Sequence, residues 1–139
     1  MAVERYRSLR KGLLDKLGVT PASSVAVLGV SDAEFLRQLS ERTGIMPSDR
    51  LSRNLDLIFY GADSLEELGR LATLRKFLKP TGAIWVVALK GKAARIKDAD
   101  SMRAGKAAGL VDNKVCGFSE TQTALRLVIP VNAREASPA

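Results

Sequence analysis

The sequence predicts a three-layer α/β sandwich built on a mainly parallel sheet, and three observations carry that prediction. First, three short runs are dominated by apolar residues: 24–30 (SVAVLGV), 55–60 (LDLIFY) and 83–89 (AIWVVAL). Strands apolar on both faces need cover on both faces, the setting of a sheet between two helical layers. Second, a helix-patterned segment opened by cap-type residues follows each of the first two runs, so strand–helix–strand occurs twice in succession. Such units impose parallel pairing with right-handed crossovers. Third, the chain has 139 residues, of which 46% are hydrophobic and 27% charged, which suits one folded domain and not a disordered chain.

Each element has its own warrant. In segment 3–17, Tyr6, Leu9, Leu13, Leu14 and Leu17 recur at helical spacing, and Gly18 supplies a stop. Its other face carries Arg5, Arg7, Arg10, Lys11 and Lys16. That pattern fits an amphipathic helix packed on the domain with a solvated basic face, or one that docks on an anionic surface. After the first strand, Ser31 and Glu34 have capping-box spacing, and Phe35, Leu36 and Leu39 supply the buried face of the next helix. Residues 44–47 read as a brief second strand, which Pro47 confines to an edge or a strand end. Strand 55–60 is broken by Gly61. Ser64 and Glu67 form a second capping box, opening a helix over 65–78. Lys79, Pro80, Thr81 and Gly82 are turn residues, and strand 83–89 follows. Segment 90–100 reads as a polar loop and 101–108 as a short Ala-rich helix stopped by Gly109. Runs 111–118 and 124–131 read as strands of an antiparallel hairpin. The resulting organisation is an N-terminal helix over 1–18, one Rossmann-like domain over 19–131, and a flexible tail over 132–139.

Composition excludes several chemistries. There is no histidine and one cysteine, Cys116, so Ser-His-Asp and Cys-His catalysis, a structural zinc site and an internal disulfide are all ruled out. No apolar run approaches the roughly 20 residues that span a bilayer, and the N-terminus lacks a signal-peptide apolar block. A cytoplasmic protein without membrane partners is therefore expected. The net charge of +7 biases partners toward anions: small phosphorylated ligands or, with no motif to support it, nucleic acid.

The order of elements, together with Leu78-Lys79-Pro80-Thr81-Gly82-Ala83 running into Ile84-Trp85-Val86-Val87, resembles a shortened class I methyltransferase fold. That fold is a Rossmann variant that holds S-adenosylmethionine. The resemblance implies a topology one strand–helix unit short, because 43–54 is too brief for an additional crossover. In that family the first strand ends in an acid followed by three alternating glycines; here Val27 stands at the acid, and Gly29, Ser31 and Ala33 at the glycines. Asp49 stands about where a ribose-binding acid would follow the second strand. Residues 107–116 (AAGLVDNKVC), with Ser119-Glu120-Thr121 and Ala124-Leu125-Arg126-Leu127-Val128, resemble the signature of a small bacterial family of unknown function.

Ligands of parallel sheets settle at the carboxyl ends of strands. That rule nominates Gly29, Ser31, Asp32, Gly61, Asp63 and Lys90 as cofactor-binding candidates, where two helix starts could face an anion. Lys92, Arg95 and Lys97 lie just beyond. Asp112, Lys114 and Cys116 are the catalytic candidates: Asp112 and Lys114 are spaced to share one strand face, and Lys114 could help ionise Cys116. No metal site is expected, and S-adenosylmethionine is possible through the resemblance alone. The leading expectation is a non-catalytic or regulatory binding domain, with a degenerate cofactor cleft for a small anionic ligand or a protein partner. The alternatives are an S-adenosylmethionine-dependent methyltransferase and a basic nucleic-acid-binding accessory protein.

Overall fold

The apolar runs pair as their composition demands. In the computed structural model, which describes residues 12–135, β1 (Val25–Leu28) pairs in parallel with β2 (Leu55–Gly61), and β2 in parallel with β3 (Leu78–Leu89). The hairpin of β4 (Val111–Gly117) and β5 (Gln122–Val128) closes the far side. Antiparallel β5 lies between β3 and β4, so the strand order is β1-β2-β3-β5-β4.

The twofold alternation of side chains divides the core between two faces. Phe59 and Trp85 face α1 (Leu13–Lys16) and α2 (Ala33–Thr43), meeting Leu13, Leu17, Phe35 and Leu39. Phe35 sets its ring edge-on to Phe59, with centroids 4.9 Å apart, and tilted against Phe118. Ile58, Ile84 and Val86 face α3 (Leu65–Leu68), α4 (Leu71–Arg75) and the helix α5 (Asp98–Ala107). The indole of Trp85, fully buried, donates from Nε1 to the Leu17 carbonyl at 3.0 Å, which fastens the end of α1 to the sheet.

Several sequence expectations are corrected. Of the helix expected over 3–17, Leu13–Lys16 is helical among the described residues, and Arg5, Arg7, Arg10 and Lys11 lie outside them. No strand forms at 44–47. That segment is irregular, and Ser48, just beyond it, accepts Val27 N of β1 at 2.9 Å. Pro47 has no N–H to extend such a ladder, so β1 ends the sheet. The helix expected over 65–78 is two short turns interrupted at Gly69 and Arg70, and Leu78 already belongs to β3. The turn expected at 79–82 lies inside β3 as a wide bulge: Leu55 pairs Leu78, yet Leu57 pairs Ala83. Helix α5 begins at Asp98, earlier than expected, where the Asp100 carboxylate accepts Lys97 N at 2.8 Å. The expected tail opens with α6 (Val131–Glu135), whose Ala133 packs on the core.

Candidate functional site

The parallel register brings Gly29, Ser31, Asp32, Gly61, Asp63 and Lys90 to one rim, at the carboxyl ends of β1, β2 and β3. Gly29, at φ 73°, turns the chain sharply as it leaves β1. There its backbone lies directly on that of Gly61: a Cβ at Gly61 would stand 2.7 Å from the Gly29 carbonyl carbon and closer still to its oxygen. This glycine–glycine seam leaves no gap between the two strand ends. The side chains beside it are engaged with the protein itself. Asp32, not Ser31, caps α2 by accepting Phe35 N at 3.0 Å; Ser31 points to solvent one residue too early. Ser64 caps α3 as expected, accepting Glu67 N at 3.1 Å, but the reciprocal half of the capping box is shifted: Glu67 accepts Asp63 N at 3.0 Å and the Ser64 hydroxyl, not Ser64 N. Asp63 in turn accepts Leu89 N at 2.8 Å, tying the end of β2 to the end of β3. Each helix start on this rim thus carries its own carboxylate, and α3 has only four residues, so the anticipated anion-binding pair of helix starts is not built. Lys90, Lys92, Arg95 and Lys97 are exposed beyond it.

The catalytic candidates occupy β4, the exposed outer strand of the hairpin. A bulge at Asn113 breaks their alternation, since Asp112 pairs Leu127 whereas Lys114 pairs the adjacent Arg126. Asp112 and Lys114 therefore face opposite sides of the sheet, contrary to the expected shared face. Lys114 instead reaches α1, where Nζ donates to the Lys16 carbonyl at 2.9 Å. Cys116 is half-buried against the core of the α1–α2 face. Burial pushes its thiol above the ordinary value, outweighing the opposing pull of Lys114 and Lys16, which leaves it less nucleophilic at neutral pH than a free cysteine.

A third group gathers at the amino end of the sheet. The Asp56 carboxylate accepts Ser24 N at 2.8 Å and Lys79 Nζ at 3.0 Å, joining the starts of β1, β2 and β3. Lys79 lies in the β3 bulge, which Gly82 permits: a Cβ there would stand 2.8 Å from the Leu55 carbonyl oxygen. Asp56, Lys79, Thr20, Ser23, Thr81 and Arg126 line a cleft of about 330 Å³. Sequence reasoning missed this cluster. Its only local signal was the turn chemistry of 79–82, which says nothing about what the turn is pressed against.

No protein-family model matches the chain, so the likeness of 107–116 to an uncharacterised bacterial family gains no support, and no curated protein matches it. Solved structures do match it. A SAM-dependent methyltransferase from Aquifex aeolicus superposes with a TM-score of 0.66 at 14% identity, over 86% of this chain and 89% of that one. The CcbJ methyltransferase from Streptomyces caelestis gives 0.58 at 12% identity, over 88% and 89%. The O-methyltransferase NcsB1 of neocarzinostatin biosynthesis, solved with S-adenosyl-L-homocysteine, gives 0.62 at 14% identity, over 81% of this chain and 51% of that one. The chain thus has the Rossmann-like α/β fold of the class I methyltransferases, with β1 at an open edge. Among the described residues, no helix is long and apolar enough to cross a membrane, and no group of three His, Cys, Asp or Glu could hold a metal.

Proposed function

We propose that this chain is a non-catalytic binding domain built on a methyltransferase scaffold. The observation that carries this reading is the seam between Gly29 and Gly61, which fills the rim between β1 and β2 with backbone. The residues around it do not fit S-adenosylmethionine. Val27 stands where an acid is needed. Ser31 and Ala33 put side chains where a cofactor requires bare backbone. Asp49 is exposed on an irregular segment, and among the described residues no strand lies on the outer side of β1 to floor a nucleoside. The fold likeness to methyltransferases favours a second reading, a methyltransferase with an unusual first loop. Calorimetric titration with S-adenosylmethionine and S-adenosylhomocysteine decides between them. The binding-domain reading expects no heat from protein shown to be folded, and micromolar binding of either compound would overturn it.

A further inference from the structure

We infer that the basic surface formed by loop 90–97 and α5 is a docking face for the phosphate backbone of double-helical nucleic acid. It lies outside the seam between β1 and β2 and stands whether or not that rim holds a cofactor.

Positive charge is concentrated there. Residues 90–106 carry Lys90, Lys92, Arg95, Lys97, Arg103 and Lys106 against two acids, Asp98 and Asp100, in a chain whose net charge is +7. All six cations are exposed. Asp100 is already engaged: one oxygen accepts Lys97 N at 2.8 Å and the other faces the Arg103 guanidinium at 3.5 Å. Among the described residues, the side chains of Lys90, Lys92, Arg95, Lys97 and Lys106 enter no ion pair or hydrogen bond. Basic side chains elsewhere are compensated: Arg37 by Glu34 and Glu41, Arg42 by Asp15, and Lys79 by Asp56.

The scaffold fixes these cations on one surface. Lys90 N donates to the Thr121 carbonyl at 3.0 Å, which joins the start of the loop to the β4–β5 hairpin. Gly91–Ala93 closes a single 3-10 turn. Ile96 is buried in the core beneath α5, so Arg95 and Lys97 on either side of it stay at the surface. Helix α5 has ten residues, a length of about 15 Å, and carries Lys106 near its far end. Like charges held together without partners repel one another, and a polyanion relieves that repulsion.

The class of partner follows from what stands between the cations. A phosphate monoester meets only one or two of five cations spread over a loop and a helix. A duplex presents about one charge per 1.7 Å of its axis and can meet all of them. Within the loop the exposed residues beside the cations are Gly91, Ala93 and Ala94. They offer no bulky apolar side chain to enter a bilayer. Residues 90–106 contain no aromatic residue to stack on an unpaired base. The face is therefore built to contact backbone phosphates without reading sequence.

The test is fluorescence anisotropy of a labelled DNA duplex, two helical turns long, titrated with the full chain at several sodium chloride concentrations. A Kd of about 1–100 µM is expected at about 0.1 M salt, unchanged for a duplex of unrelated sequence. With four or five phosphates neutralised, log K should fall against log salt with a slope of about −3.6 to −4.5. The double variant Lys92→Gln, Arg95→Gln should weaken binding about tenfold or more and flatten that slope by about 1.8. Arg50→Gln, Arg53→Gln removes the same charge from the exposed segment beside β1 and should change neither. All four side chains are exposed, so both variants should keep the parent's circular dichroism and melting temperature. Absence of saturable binding, equal losses in the two double variants, or tighter binding to phosphatidylserine vesicles than to the duplex would each overturn the assignment. Calorimetry with S-adenosylmethionine reads the rim separately, so either reading can fail alone.

Discussion

Adding a single methyl at the rim tests the seam directly. In Gly61→Ala the new Cβ falls 2.7 Å from the Gly29 carbonyl carbon and nearer still to the oxygen, so both partners in the clash are backbone and no flexible side chain can yield. The strands must part by roughly 1 Å at their carboxyl ends to restore ordinary contact. That displacement weakens the last parallel pairing, Leu28 with Tyr60. Overpacking of this kind costs about 1–3 kcal/mol, and a weakened ladder bond adds about 1 kcal/mol, giving about 2–4 kcal/mol. For 139 residues, at about 2.1 cal/mol/K of unfolding entropy each, 1 kcal/mol shifts the Tm by about 3.4 °C. Scanning calorimetry should therefore show a fall of about 7–14 °C. Gly117→Ala is the control, because no atom lies within 4 Å of its added Cβ and its φ is not positive. It should be neutral or gain about 0.4–1 kcal/mol. If Gly61→Ala melts within 2 °C of the parent, the two strand ends are not in contact and the rim is open.

Three further outcomes follow from the same geometry. Ser64→Ala removes the cap on Glu67 N and should cost about 1 kcal/mol, read as a drop of about 3 °C in Tm. Trp85→Phe strands the buried Leu17 carbonyl and should cost about 2–3 kcal/mol, measured by urea denaturation; a smaller loss than in Ser64→Ala would mean that α1 is not fastened there. Cys116 has its thiol raised by burial, so the folded chain holds that proton more tightly than the unfolded one. The resulting stability is fully present below the ordinary thiol value and is lost as pH rises through the raised one. Urea midpoints of the parent should thus fall more steeply than those of Cys116→Ala on the alkaline side, and parallel curves would contradict the burial.

What the sequence disclosed depended on how far each interaction reaches along the chain. The cap of Ser64 on Glu67 N involves neighbours three residues apart, and it formed as the spacing implied, whereas Glu67 turned to Asp63 N rather than Ser64 N. At the preceding helix the same logic missed by one residue, because Asp32 as well as Ser31 can cap and tertiary packing chose between them. The three parallel strands were legible because burial on both faces leaves a nearly continuous apolar run. The strand expected at 44–47 was not decidable locally: with Pro47 in place, a single bond to Val27 was all that the neighbouring edge took up. Turn chemistry at 79–82 pointed to a turn ahead of the strand, whereas these residues lie within β3 as a bulge. That they form a bulge depends on the carbonyls of Leu55 and Asp56 lying under Gly82. Likewise the opposite facing of Asp112 and Lys114 is set by how Asn113 pairs, not by its identity. The Asp56 cluster joins residues 32 and 23 positions apart, a separation that periodicity cannot see.

The two ends of the sheet differ in what their polar groups are already doing. At the carboxyl rim the donors and acceptors face inward: Asp32 holds Phe35 N, Glu67 holds Asp63 N, and Asp63 holds Leu89 N. A ligand there would have to displace interactions that secure the ends of the strands. At the amino end one carboxylate secures three strands at once. A parallel sheet that has lost the strand beyond β1 no longer has a crevice flanked on both sides at its carboxyl end, which is where the switch-point rule places ligands. The rule's premise fails here for a structural reason.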